Sequence, residues 1–85
     1  MDKILLKEIY GTINLIQVST DGSVLIQLNR QNADTVYRFQ LLDEYNRLAH
    51  LSMFNLLRDA FNNKLDVHIE YPDNNNVISK VWLLA

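Results

Sequence analysis

Apolar residues recur every second position in three stretches of the chain. Val24, Ile26 and Leu28 share one parity, and so do Tyr37, Phe39 and Leu41. Leu65, Val67, Ile69 and Tyr71 alternate with Asp66, His68 and Glu70. This period predicts β-strands with one buried face. Between the second and third stretches the spacing changes to that of a helix. Asp43 is a suitable N-cap, and Asn62-Asn63 can take the left-handed conformation that ends a helix. Within it, Ala49, Met53, Phe54, Leu56, Leu57, Ala60 and Phe61 cover an arc of roughly 160° on a helical wheel, and Leu48 and Leu51 fall outside that arc.

The remaining segments complete the order. Ile13 to Val18 precede Asp21-Gly22, a strong two-residue hairpin signal because Gly accepts positive φ and Asp tolerates it. Asn29 to Asp34 reads as a polar loop, Pro72 to Asn76 as a turn or short loop, and Val77 to Leu84 as the last strand. The first ten residues fit either a short helix capped by Asp2 and closed by Gly11, or an extended segment from Lys3 to Tyr10. The predicted order is strand, strand, strand, helix, strand, strand in one domain over residues 1–85. It matches a mainly β, α+β architecture: the five-stranded Greek-key barrel called the OB-fold, with one helix between strands three and four. Gly11 and the irregular alternation around Gln17 fit a bent or bulged first strand. An open α+β sheet with the helix on one face is the alternative.

Three elements carry more apolar surface than one core requires. A two-residue turn at Asp21-Gly22 pairs Leu15 with Leu28, Val18 with Leu25, and Ile16 with Gln27. The interior then holds Leu15, Val24, Ile26 and Leu28, and Ile16, Val18 and Leu25 lie on the second face. The helix repeats the surplus with Leu48 and Leu51. In the last strand, Val81 and Leu83 oppose Trp82 and Leu84. A chain of 85 residues buries a limited core and has no cysteine for a disulfide. Ile16, Val18, Leu25, Leu48 and Leu51 are therefore the candidates for a subunit interface in a homo-oligomer.

Composition and charge narrow the function. The net charge is −2 and the basic residues are scattered, which argues against strong non-specific nucleic-acid binding. The longest apolar run, Val81 to Ala85, is too short to cross a bilayer, so no membrane insertion is expected. No signal peptide is evident after Met1. Asp66, His68 and Glu70 have metal-ligand chemistry, but three such residues along one strand spread over roughly 13 Å, too far for one ion. They read as a solvated polar face, and His50 reads as a packed or interface residue. No nucleophile setting or Gly-rich phosphate loop is present, so no catalysis and no cofactor are expected. Tyr37, Arg38, Phe39 and Arg30 form the only aromatic and basic cluster suited to single-stranded nucleic acid, with Tyr37 and Phe39 better read as core. Trp82, Tyr71 and the amides of Asn74, Asn75 and Asn76 supply an aromatic platform and hydrogen-bonding groups for a glycan.

In Gly11-Thr12-Ile13, Val18 to Val24, Leu48 to Phe61, Leu65 to Ile69 and Val77 to Val81, the chain resembles the receptor-binding B subunits of bacterial toxins with one A and five B subunits. It looks most like their small, toxin-B-like OB relatives. The resemblance is one of spacing and element order. It implies a pentameric ring joined through edge strands, helices lining a central pore, glycan binding, and no catalysis of its own. An A-type partner subunit is implied in the same way. Such subunits commonly carry a disulfide and an export signal, and this chain shows neither. The expected address is secreted for a processed toxin-like subunit and cytoplasmic otherwise. The expected function is a non-catalytic homo-oligomeric binding module; a single-stranded nucleic-acid-binding OB domain and a purely structural assembly subunit are the alternatives.

Overall fold

The computed structural model describes residues 3–30, 36–41 and 47–84. Five strands and one helix follow in chain order: β1 Leu6–Val18, β2 Val24–Asn29, β3 Val36–Leu41, α1 Arg47–Asn63, β4 Asp66–Pro72 and β5 Lys80–Trp82. The strands form one sheet in the order β3-β2-β1-β4-β5, with every neighbouring pair antiparallel. β1 is long enough to serve both halves: its second part pairs with β2 and its first part with β4.

The sheet curls back on itself at Gln40. There β3 meets the segment before β5 in a parallel bridge to Val77. Gln40 N–H donates to the Asn76 carbonyl at 2.9 Å, and Ile78 N–H donates to the Gln40 carbonyl at 2.8 Å. Ser79 N–H then turns to the Glu70 carbonyl at 2.9 Å. The chain thus changes partner between Ile78 and Ser79, and regular β5 is shorter than the expected Val77 to Leu84. The outcome is the mainly β, OB-fold-like barrel with its helix between strands three and four.

The inner face follows the alternation. Ile9, Ile13, Val24, Ile26, Leu28, Phe39, Leu41, Val67, Ile69 and Ile78 are buried together with Leu57 and Ala60 of α1. Each such side chain contributes on the order of 1.5–3 kcal/mol by leaving water. The helix packs mainly on β1, β5 and β4. It presents His50, Met53, Phe54, Leu57 and Ala60 to them, so the packed arc is turned relative to the expected one. Ala49 and Phe61 lie exposed beside it.

Several expectations change. The β1–β2 connection spans five residues, Ser19 to Ser23, because Ser19 N–H bonds the Ser23 carbonyl and Gly22 N–H bonds the Ser19 carbonyl, both at 3.0 Å. The Asp21 carboxylate holds this turn by accepting from Ser23 Oγ at 2.7 Å and Ser23 N–H at 3.0 Å. The register therefore pairs Val18 with Val24, Ile16 with Ile26, and Leu15 with Gln27, and it shifts again at a bulge between Ile13 and Leu15. A one-residue slip exchanges faces. Ile16 and Val18 belong to the inner face, and Leu15 moves to the outer one.

The helix end also differs, since Lys64, not Asn62 or Asn63, takes positive φ (54°). Leu65 N–H reaches the Ala60 carbonyl at 2.9 Å and Lys64 N–H the Phe61 carbonyl at 3.4 Å, the two bonds of a Schellman motif. Residues 6–10 are strand, so the extended reading of the N-terminal segment holds. Asp2, the proposed cap Asp43 and the loop positions 31–34 lie outside the described residues.

Candidate functional site

The outer face of β1, β4 and β5 is organised in rows set by register. Tyr10 lies opposite His68, and His68 opposite Trp82. On one side of this row runs Glu8, Glu70 and Lys80. On the other, Thr12 lies opposite Asp66, and its hydroxyl donates to Asp66 Oδ1 at 3.1 Å. Adjacent strands stand about 4.8 Å apart, which is the separation at which neighbouring rings can stack.

They do so here. The Tyr10 and His68 rings lie 5.3 Å apart and the His68 and Trp82 rings 5.4 Å apart, each pair inclined by 23°. Arg30 closes one end, its Cζ 6.0 Å from the Tyr10 ring centre, and Lys80 closes the other, its Nζ 5.3 Å from the Trp82 ring centre. Each ring contact adds roughly 0.5–1.5 kcal/mol and each exposed cation about 0.5–1 kcal/mol. The row braces the barrel where β5 is only three residues long.

This geometry also sets what the face can bind. Both faces of the imidazole are taken by its neighbours, so an incoming group meets ring rims. The rims carry the phenol hydroxyl, the imidazole nitrogens and the indole N–H, all hydrogen-bonding groups. Carboxylates flank them on both sides. Glu8 and Glu70 are directly opposed like charges, an unfavourable cross-strand pair that Lys80 offsets from its place beside Glu70. A row of donors between acceptors suits a neutral polyol, and carboxylates on both sides oppose a phosphate backbone.

The sequence-derived glycan candidates separate. Trp82 stands in the outer row. Tyr71 lies on the opposite face of β4, with its ring 4.8 Å from that of Phe39. Asn75 Oδ1 accepts from Val77 N–H at 2.8 Å, and Asn76 gives its carbonyl to Gln40 and its side-chain amide to the Arg38 carbonyl at 3.4 Å. Asn75 donates to Asn74 Oδ1 at 3.3 Å. These amides build the turn that closes the barrel. Tyr10 and His68 are the members that sequence reasoning missed. His68 lies on the polar outer face expected of it, half-buried at the centre of the stack. Phe39 is buried and Tyr37 faces inward, so the aromatics of the nucleic-acid cluster belong to the core. Among the described residues, no three His, Asp or Glu side chains are placed to hold a metal ion. No described helix is long and apolar enough to cross a membrane.

The interface candidates separate as well. Leu25 is half-buried on the outer sheet face and Ile16 half-buried on the inner one. Val18 and Leu51 meet at one end of the barrel and Leu48 lies one turn before Leu51 on α1; they are 61%, 48% and 75% exposed. Between the hairpin and the start of α1 lies a cleft of about 260 Å³, lined by Val18 and Val24 from the strands and Arg47, His50, Leu51 and Phe54 from the helix. His50 is 9% exposed, and its Nδ1 is buried without a hydrogen-bond partner. Compared with known proteins, the chain matches no family, no curated protein and no solved structure.

Proposed function

We propose that this protein is a non-catalytic, homo-oligomeric binding module that recognises a glycan through the outer face of β1, β4 and β5. The observation that carries the reading is the Tyr10–His68–Trp82 row set between Glu8 and Glu70 on one side and Asp66 on the other. Sugars are recognised by pairing hydroxyls with such alternating donors and acceptors around aromatic surface. The resemblance to toxin B subunits supports the same ligand class. A nucleic-acid ligand is disfavoured, because the carboxylates would face its phosphates.

Self-association belongs to this proposal and is assigned to the ridge of α1 that carries Leu48, the most exposed large apolar residue of the described chain. A glycan array probed with the full chain tests the ligand, with sedimentation alongside. Tyr10→Ala and Trp82→Ala are expected to cost at least about tenfold in affinity, the usual effect of truncating a central aromatic anchor. Gln27→Ala on the distant part of the outer sheet should bind as the parent does. A blank array sinks the ligand reading. A single-chain mass at micromolar concentration sinks the assembly reading, and Leu48→Glu is expected to produce that mass from the oligomer.

A further inference from the structure

We infer that the cleft between the β1–β2 loop and the start of α1 is a binding site for a small molecule with an apolar body and a single carboxylate. The inference stands apart from the glycan reading, since the cleft shares no residue with the aromatic row. The five-residue loop leaves Val18 uncovered at the end of its strand, and Val24, Leu51 and Phe54 continue the apolar surface inward. At about 260 Å³ the cleft is at the small end of ligand pockets, which suits an occupant of roughly ten to fifteen non-hydrogen atoms.

The polar groups then select the charge. Arg47 brings a guanidinium, whose fork of donors matches a carboxylate. His50 is an imidazole held in a largely apolar wall with Nδ1 sealed and unpaired, a state that buried polar atoms rarely occupy. Because Nδ1 is closed off, Nε2 is the nitrogen left to meet an occupant, and in the neutral ring it can carry the proton and donate. No acidic residue is among the described lining, and Asp21 in the adjoining loop has its carboxylate engaged by Ser23. One guanidinium and one imidazole at the edge of an apolar cleft fit a monocarboxylate better than a phosphate, which draws several cations.

Amide-shift titration of the full chain with phenylacetate, and in parallel with phenylacetamide and acetate, tests this. Saturable shifts at Val18, Gly22, Val24, His50 and Leu51 are expected for phenylacetate, with a dissociation constant on the order of 1 mM. Phenylacetamide keeps the apolar body without the charge and should bind about tenfold more weakly, and acetate weaker still. Arg47→Gln should remove the difference between acid and amide, whereas Arg30→Gln should leave it intact. Leu48→Gln separates ligand from assembly: Leu48 stands beside the cleft without lining it, so that variant should still bind phenylacetate. Shifts that fail to saturate, equal binding of acid and amide, or retention of the difference in Arg47→Gln would each overturn the site. Cleft shifts that follow protein concentration without ligand, and vanish in Leu48→Gln, would overturn it in favour of a second copy.

Discussion

Gly11→Ala places a methyl against main chain in a tightly packed part of the barrel, and the contact distances set its cost. Gly11 lies buried in the part of β1 that runs beneath the end of β2. A methyl placed there lands on the Asn29 carbonyl oxygen well inside contact distance, with the carbonyl carbon at 3.0 Å and Leu28 Cγ at 3.2 Å. Ordinary contact begins near 3.4 Å. The obstacle is main chain, so no rotamer change relieves it. Relief requires the end of β2 to move outward by on the order of 1 Å, and Leu28, fully buried beside it, moves too. Overpacking of this kind costs roughly 1–3 kcal/mol, and disturbing the Thr12–Asn29 end of the ladder adds about 1 kcal/mol. The small gain from replacing a strand glycine, about 0.5–1 kcal/mol, offsets part of this. The expected loss is about 2 kcal/mol, a fall in Tm of roughly 8–16 °C for a domain of this size.

Urea denaturation followed by far-UV circular dichroism measures that loss, with Gly22→Ala as the internal comparison. Gly22 has φ of +89° and open space where a Cβ would sit, so alanine there meets backbone strain alone, about 1 kcal/mol. Gly11→Ala should therefore be the more damaging substitution, although its glycine has no positive φ. A loss at Gly11 below that at Gly22 would refute the close approach of β1 and β2.

Two further outcomes follow from the side chains at the hairpin end. His50→Leu replaces a ring with a sealed, unpaired nitrogen by an apolar side chain of similar bulk, and should raise stability by about 1–2 kcal/mol in the same urea assay; a loss would show that the imidazole is better accommodated than its contacts indicate. The Ser23 hydroxyl, and then its backbone N–H, hold the Asp21 carboxyl below its ordinary value of 3.8. Because the folded value is the depressed one, the associated stabilisation is present above 3.8 and fades as pH falls through the folded value. Ser23→Ala should move the carboxyl titration, followed by NMR, upward toward 3.8, and an unmoved titration would discard Ser23 as the cause.

The parts of this fold legible in the sequence are those where one face is buried. Val24, Ile26 and Leu28, and Val67 and Ile69, revealed their strands because desolvation imposes a period of two. The hairpin register was not legible in the same way. Asp21-Gly22 is a good two-residue turn in isolation, but the Asp21 carboxylate binds Ser23 and draws the turn over five residues. The local bonds of this loop, side-chain and backbone together, decide which of Leu15 and Ile16 faces the core. Trp82 could be singled out as an aromatic of interest, yet its partners could not. His68 joins it across the neighbouring β4–β5 pair and Tyr10 through β1, far away in the chain, and no local pattern encodes either register. Asn75 and Asn76 misled for the opposite reason, since amides that look free in sequence are consumed by the backbone of their own turn.

The double duty of β1 has a consequence for how the chain comes to be folded. Its edge from Leu6 to Thr12 is matched by a strand that ends at Pro72, so that edge stays open until some sixty further residues have been synthesised. The hairpin of β1 and β2 can form early, but it carries an unpaired edge and the bare inner row of Ile9 and Ile13. Non-local pairing of this kind is slow, and an open edge is a template for another nascent chain. Substitutions in β4 that delay its docking should therefore lower the yield of folded protein through aggregation during synthesis, even where the finished barrel is barely weakened.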